Sequence, residues 1–258
     1  MKIAVSGALG RMGRRVAALA LDAGHTIVAA VDVAQHGKNY GALLGDARAD
    51  LELLPKYNGG ADVLIDFSLP KGFDARLADC LAHPTPFVSG TTGLENMQLA
   101  ALAQAAKKVP VLYAPNFSLG VNLLFALAQR AAASLPESYD IEIVEMHHRR
   151  KVDAPSGTAI GLLKAVCAGN GRNPDAVTRH VRHGHTGARD PKEIGMHALR
   201  GGDVVGDHTV IFAAEGERVE LTHKASSRDT FAAGAIKAAE WLAGKAPGEY
   251  TMAQVLGL

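Results

Sequence analysis

Cysteine is scarce in this chain. Cys80 and Cys167 are the only two among 258 residues, and they lie far apart in apolar, helix-like stretches. That argues against a disulfide framework and reads as two reduced, buried thiols in a cytoplasmic protein. An excess of one charge is also lacking. Lys and Arg number 27 and Asp and Glu 26, a net of +1, so nothing asks for nucleic acid or an anionic membrane as a partner. Apolar runs are short and interrupted, so no transmembrane helix is expected. Met1 to Gly7 enter a strand pattern at once, so no signal peptide is expected either. No internal repeat and no low-complexity linker is visible. His180, His183 and His185 form an HxxHxH pattern in a polar excursion over 172–191. No acid or cysteine stands beside them in metal-ligand spacing, so no metal is expected.

What is present is a hydrophobic content of 48 %, enough core for one large or two modest domains. The most informative stretch is EMHHRRKVDAPSGTA, residues 145–159. His147, His148, Arg149, Arg150 and Lys151 follow an apolar strand-like run (Tyr139, Ile141, Ile143, Val144). They precede a turn and a helix start at Asp153-Ala154-Pro155-Ser156-Gly157-Thr158. Alone, HHRRK reads as a solvated basic loop. Two histidines beside a lysine add groups that exchange protons near neutral pH. The Ser-Gly-Thr helix start adds unpaired N–H donors and a partial positive charge, which favour an anion. The stretch is suited to holding a small polyanion and moving protons on it.

Taken in order, the chain opens as a βαβ unit. Lys2–Ser6 is a buried strand, GALGRMG (7–13) a glycine-rich turn, Arg14–Ala23 an alanine-rich helix stopped by Gly24, and Thr26–Val31 a second strand ending at Asp32. An acid 19 residues after Gly13 fits a dinucleotide-binding fingerprint. The glycines fall as GxxGxxG, so the reading rests on the strand, helix and acid around them. Arg11 can reach a phosphate, and Asp32 can accept hydrogen bonds from ribose hydroxyls. One short helix is expected near Asp50–Tyr57. Strands at Ala61–Phe67, Pro86–Val88 and Val109–Tyr113 alternate with helices at Pro70–Ala82 and Glu95–Lys107, which means a parallel sheet covered on both faces. Ligands bind such sheets at the strand C-terminal ends. Those loops contain Gly7–Gly13, Asp32, Ser68, Gly90–Thr92 and Ala114–Phe117.

A long helix, Leu119–Ser134, leads into a region of different rhythm. Ser138–Met146, Glu193–Arg200, Asp203–Ala214 and Arg218–Ala225 read as strands with short glycine turns, so a mostly antiparallel or mixed sheet is expected. Asp229–Leu242 and Met252–Leu256 are helices expected to return to the first domain.

These residues resemble the 4-hydroxy-tetrahydrodipicolinate reductases, also called dihydrodipicolinate reductases. The matching motifs are GALGRMG (7–13), GTTG (90–93), APNFSLGVN (114–122), EMHHRRKVDAPSGTA (145–159), GGDVVGDHTV (201–210) and THKASSR (222–228), which span the chain. The resemblance implies an α/β protein. Residues 1–118 and 229–258 would form a Rossmann-like dinucleotide domain, and 119–228 an α+β substrate-binding and tetramerisation domain. It further implies a homotetramer and NADH- or NADPH-dependent reduction of a small cyclic dicarboxylate on the diaminopimelate route to lysine. His147 would be the acid/base histidine and Lys151 the proton-donating lysine. His148, Gly157 and Thr158 would contact substrate carboxylates. Gly7, Ala8, Leu9, Gly10, Arg11, Met12, Asp32, Gly90, Thr91, Thr92, Ala114, Pro115, Asn116 and Phe117 would contact the cofactor.

One departure stands out. Some members carry an arginine directly after the ribose-binding acid, where this chain has Val33. Asp32 would repel the extra phosphate of NADPH, so NADH is favoured, with Arg11 or Lys38 left as candidates to accommodate NADPH. After hydride delivery, Lys151 or His147 would supply a proton. A redox-sensing regulator would need no histidine pair, lysine and anion cradle together, and another nicotinamide-dependent reductase would differ only in substrate.

Overall fold

The protein is described by a computed structural model covering residues 1–258. The chain divides into two compact units, Met1–Leu119 with Asp229–Leu258, and Gly120–Arg228. In chain order, the first unit contains β1 (Lys2–Ser6), α1 (Arg11–Asp22), β2 (Thr26–Val31), α2 (Tyr40–Leu44), β3 (Leu53–Leu54), β4 (Val63–Asp66), α3 (Pro70–Ala82), β5 (Phe87–Ser89), α4 (Asn96–Ala105) and β6 (Pro110–Tyr113). Helix α5 (Leu119–Ser134) begins the second unit, followed by β7 (Asp140–His147), α6 (Gly157–Asn170), α7 (Pro174–Val177), β8 (Thr178–Arg179), β9 (Ile194–Arg200), β10 (Gly206–Ala214) and β11 (Glu217–Ala225). Then α8 (Asp229–Leu242), β12 (Gly248–Tyr250) and α9 (Met252–Leu256) complete the first unit.

The first unit is a parallel sheet of seven strands in the order β12-β6-β5-β4-β1-β2-β3. Its central strands are buried on both faces because helices cover both. Val16, Ala20, Ala235, Ala239 and Leu242 of α1 and α8 pack on one face against Ile3, Val5 and Ile65. Phe73, Leu77, Cys80 and Leu102 of α3 and α4 pack on the other against Ala4, Leu64 and Phe87. The small residues of α1 and α8 let the two helices lie close. Strand order reverses between β1 and β4, which makes the loops after these strands the switch point of the sheet.

The second unit is a mixed five-stranded sheet, β11-β10-β7-β9-β8. Helices α5 and α6 cover one face through Leu124, Ala128, Leu162 and Val166, packed on Ile141, Ile143, Met196, Val210 and Phe212. The sheet is mixed, one of the two arrangements expected from the strand rhythm. Strand β10 pairs antiparallel with β7 and β11, whereas β9 runs parallel to both β7 and β8. The crossover through α6 returns the chain alongside β7 in the same direction, and β7 then separates β9 from β10.

Three local differences from expectation have physical causes. No helix forms over 50–57. Instead a 3-10 turn at Ala47–Ala49 leads to the edge strand β3, whose Leu53 pairs with Ala30. Sheet pairing overrides a weak helical pattern there. Helix α2 was not expected. It forms where the Asn39 side chain caps the Ala42 N–H at 2.8 Å and Tyr40 buries its ring, with its hydroxyl donating to the Ala8 carbonyl at 3.1 Å. Strand β12 is three residues of unremarkable composition that pair with Pro110–Leu112 at the sheet edge.

Candidate functional site

In the first unit, the glycine turn is shaped by contacts that leave no room for side chains. Gly7 has φ +68°, and its carbonyl accepts the Gly10 N–H at 2.9 Å. A Cβ on Gly13 would lie 2.1 Å from that carbonyl oxygen, so α1 can approach the turn only because residue 13 is glycine. A Cβ on Gly90 would fall 2.2 Å from the Phe67 ring. Helix α1 opens at Gly10 with no side-chain cap, so no capping side chain takes up its first N–H groups. Asp32, at the end of β2, accepts the Leu9 N–H at 2.8 Å through Oδ2, tying the second strand's acid to the glycine turn.

The neighbouring loops are organised by Asp66, a fully buried carboxylate at the end of β4. It accepts from Thr91 Oγ1 at 2.7 Å, Ser89 Oγ at 3.2 Å and the Ser68 N–H at 3.2 Å. Thr91 is thus occupied by the scaffold, while Thr92 is exposed. Ala114 donates its N–H to the Ser89 carbonyl at 3.1 Å. Phe117 is 1 % exposed and packs edge-on against Phe67 at 5.8 Å between ring centroids. Ala8 and Phe117 therefore offer a ligand their backbone rather than their side chains. Arg11 is exposed at the start of α1.

In the second unit, the central stretch runs off the end of β7 into the start of α6. Glu145 and His147 are two residues apart on one strand and so share a face. The His147 Nδ1 lies 2.6 Å from Glu145 Oε2. Glu145 is 0 % exposed and is held by Arg200 of β9 in a bidentate pair, Nη1 to Oε2 at 2.8 Å and Nη2 to Oε1 at 2.9 Å. The Ser156 N–H donates to its Oε1 at 3.0 Å. Burial opposes ionisation of Glu145, but the Arg200 and His147 hydrogen bonds outweigh it and hold the carboxyl below its ordinary value.

His208 of β10 sits beside Glu145 in register and edge-on to the His147 ring, with centroids 5.2 Å apart. Its Nε2 is 3.0 Å from Ser156 Oγ, which also caps α6 by accepting the Ala159 N–H at 3.2 Å. Burial and the neighbouring His147 push the His208 imidazole down to about 4, so it is neutral at ordinary pH. Burial, with Arg150 and Arg228, also lowers His148. Lys151 is engaged by Asp153, Nζ lying 2.8 and 2.7 Å from the two carboxylate oxygens. A Cβ built on Gly157 meets nothing within 4 Å, so the first turn of α6 is open to a ligand.

The structure therefore places His147, His148, Lys151, Gly157 and Thr158 along one strand end, turn and helix start. Ser156, read from sequence as part of the helix start, caps α6, and Glu145, Arg200 and His208, which were given no role from sequence, join the group. Glu145 carried a readable signal, its two-residue spacing from His147 on a strand. Arg200 carried none, because it enters through the pairing of β9 with β7. The HxxHxH segment forms no group of three metal-binding side chains. Arg182 and Arg189 from the same segment instead ion-pair with Glu142 at 2.7 and 3.1 Å. No helix is long and apolar enough to cross a membrane.

Two family models match almost end to end. One, described as dihydrodipicolinate reductase, N-terminus, covers residues 1–117. The other, dihydrodipicolinate reductase, C-terminus, covers residues 120–256. A 4-hydroxy-tetrahydrodipicolinate reductase of Thiobacillus denitrificans is 50 % identical over all of this chain and 99 % of its own length. One from Alkalilimnicola ehrlichii is 49 % identical over the same shares. Among solved structures, a dipicolinate-bound dihydrodipicolinate reductase from Paenisporosarcina sp. TG-14 is similar, with a TM-score of 0.75, 25 % identity and 97 % of each chain covered.

Proposed function

The chain belongs to the dihydrodipicolinate reductase family, and from that premise we propose how its residues divide the reaction. The activity is NAD(P)H-dependent reduction of 4-hydroxy-tetrahydrodipicolinate to tetrahydrodipicolinate, on the diaminopimelate route to lysine. The first unit is the dinucleotide-binding domain and the second, 119–228, binds substrate and forms the tetramer. The observation that carries the reading of the substrate end is the open start of α6 set against the strand end that bears His147, His148 and Lys151.

The residues of the first unit fit a nicotinamide nucleotide. The turn at Gly7–Met12 is a cradle that Cβ atoms would fill, and α1 opens on it uncapped, which suits a pyrophosphate. Gly90, Thr91 and Thr92, with Ala114, Pro115, Asn116 and Phe117, supply the remaining contacts from the ends of β5 and β6. Bound there, the reduced nucleotide supplies the hydride. Asp32 takes the ribose hydroxyls. Val33, 85 % exposed, offers no cation for a ribose phosphate, and the Lys38 ammonium is drawn to the Gln35 side chain at 3.2 Å. NADH is therefore the favoured donor.

At the substrate end, His148 and the Gly157 and Thr158 N–H groups hold the carboxylates of a small dicarboxylate. The ring left after hydride transfer requires a proton, which comes from Lys151 or His147 by general acid catalysis. Lys151 must leave Asp153 to take part. The sheet face opposite α5 and α6 carries Thr209, Thr222 and Leu199, the last 49 % exposed, and no helix of its own unit covers it. That supports a homotetramer joined through these sheets; the compartment proposed for it is the cytoplasm.

The test is a coupled assay. Pyruvate and aspartate semialdehyde are condensed by the preceding synthase, this protein is added, and cofactor oxidation is followed at matched NADH and NADPH. Oxidation that depends on the condensed product, faster with NADH, is the expected result. No oxidation from folded protein would sink the reading. Light scattering on the eluting protein should report about four chain masses, and a single chain mass would overturn the tetramer.

A further inference from the structure

His147 is bordered by Glu145, His208 and Gly206. Glu145 and Arg200 lie beneath it in the sheet, and His208 packs edge-on from the adjacent strand. Gly206 borders its other nitrogen, since a Cβ there would lie 3.1 Å from His147 Nε2 and 3.5 Å from His208 Cε1. Resting on the reading of His147 as a proton-bearing residue, we propose that Glu145 is a positioning residue. Its carboxylate, locked by Arg200, keeps the hydrogen of His147 on Nδ1 and leaves Nε2 as the working nitrogen over Gly206.

An ionised carboxylate can only accept, so the ring nitrogen 2.6 Å from Glu145 Oε2 must be the donor. Glu145 has no freedom to turn away. Both of its oxygens are bound by Arg200, Oε1 also takes the Ser156 N–H, and the group is 0 % exposed. Its charge is sustained by the same bonds. The other titratable neighbours do not compete for Nδ1. Neutral His208 is engaged at Nε2 by Ser156, Lys151 is engaged by Asp153, and His148 points its Nδ1 into a buried place without a partner. A histidine that must lend or take a proton at a fixed point on a substrate needs one tautomer and one ring orientation, and a buried carboxylate behind it supplies both.

Glu145→Gln tests this, because the amide keeps the shape and can donate to Nδ1, reversing the tautomer. The expected result is kcat lower by about 10- to 100-fold, the range for groups that orient a metal-ligating histidine from behind, with KM for substrate and NADH changed less than about threefold. Long-range 15N spectra of histidine-labelled protein supply a readout that needs no substitution. At mildly alkaline pH the His147 signal, assigned by its loss in His147→Asn, should show Nδ1 protonated and Nε2 bare, and Glu145→Gln should invert the pattern. A neutral His147 that carries its one ring proton on Nε2 in the wild type overturns the proposal even if Glu145→Gln fails to fold. His147→Asn losing turnover while Glu145→Gln keeps it also overturns the proposal but leaves the role of His147 standing. Wild-type turnover in His147→Asn overturns both.

Discussion

Replacing Gly13 with alanine should separate nucleotide binding from the rest of the protein. The new Cβ would lie 2.1 Å from the Gly7 carbonyl oxygen and 2.8 Å from its carbon, both backbone atoms that cannot rotate aside. Relief requires the start of α1 and the glycine turn to part by about 1 Å. Overpacking of this kind costs about 1–3 kcal/mol. In a chain of this size each kcal/mol lowers Tm by about 2–4 °C, so a fall of roughly 2–12 °C is expected. The uncapped N–H groups of α1 move with the helix. Losing one charge-assisted hydrogen bond, about 1.5–3 kcal/mol, weakens NADH binding roughly 10- to 150-fold.

Titration calorimetry with NADH, beside thermal melts, measures both effects. Gly171→Ala is the matched control. It sits at φ +73° with open space around it, so it should cost about 1 kcal/mol of stability and leave NADH affinity unchanged. Wild-type melting and wild-type NADH affinity in Gly13→Ala would refute the argument that close approach of α1 to the turn builds the phosphate site.

Lys151→Ala should lower kcat about 10²- to 10⁴-fold while NADH binding survives, and unchanged turnover would remove Lys151 from the proton transfer. Val33→Arg should raise the ratio of kcat/KM for NADPH over NADH by at least about tenfold, since it supplies a partner for the ribose phosphate beside Asp32; an unmoved ratio would place cofactor choice elsewhere. His208 has a folded pKa pushed down to about 4. Between the ordinary imidazole value near 6.5 and that pKa, the unfolded chain binds a proton the native state refuses, so stability falls as pH drops through this window. Thermal melts of His208→Asn should show a shallower loss of Tm across that range, and an identical slope would exclude His208 as the group responsible.

Much was legible in sequence because it depends on short-range physics. Helices at Pro70–Ala82, Leu119–Ser134, Asp229–Leu242 and Met252–Leu256 occur at the residues read from apolar periodicity and their flanking breakers. The glycine turn was readable because only glycine tolerates its backbone and its contacts. His147, His148 and Lys151 were readable as a group because they fall within one short stretch, where β7 ends and the following turn begins. What tertiary structure alone decided is what depends on partners distant in the chain. Asp50–Tyr57 became turn and edge strand because β2 had an open edge to pair with. The parallel course of β9 beside β7 followed from a helical crossover, and the same pairing brought Arg200 to Glu145, a partner 55 residues away. No local pattern encodes such a meeting, because strand register is set by the whole sheet.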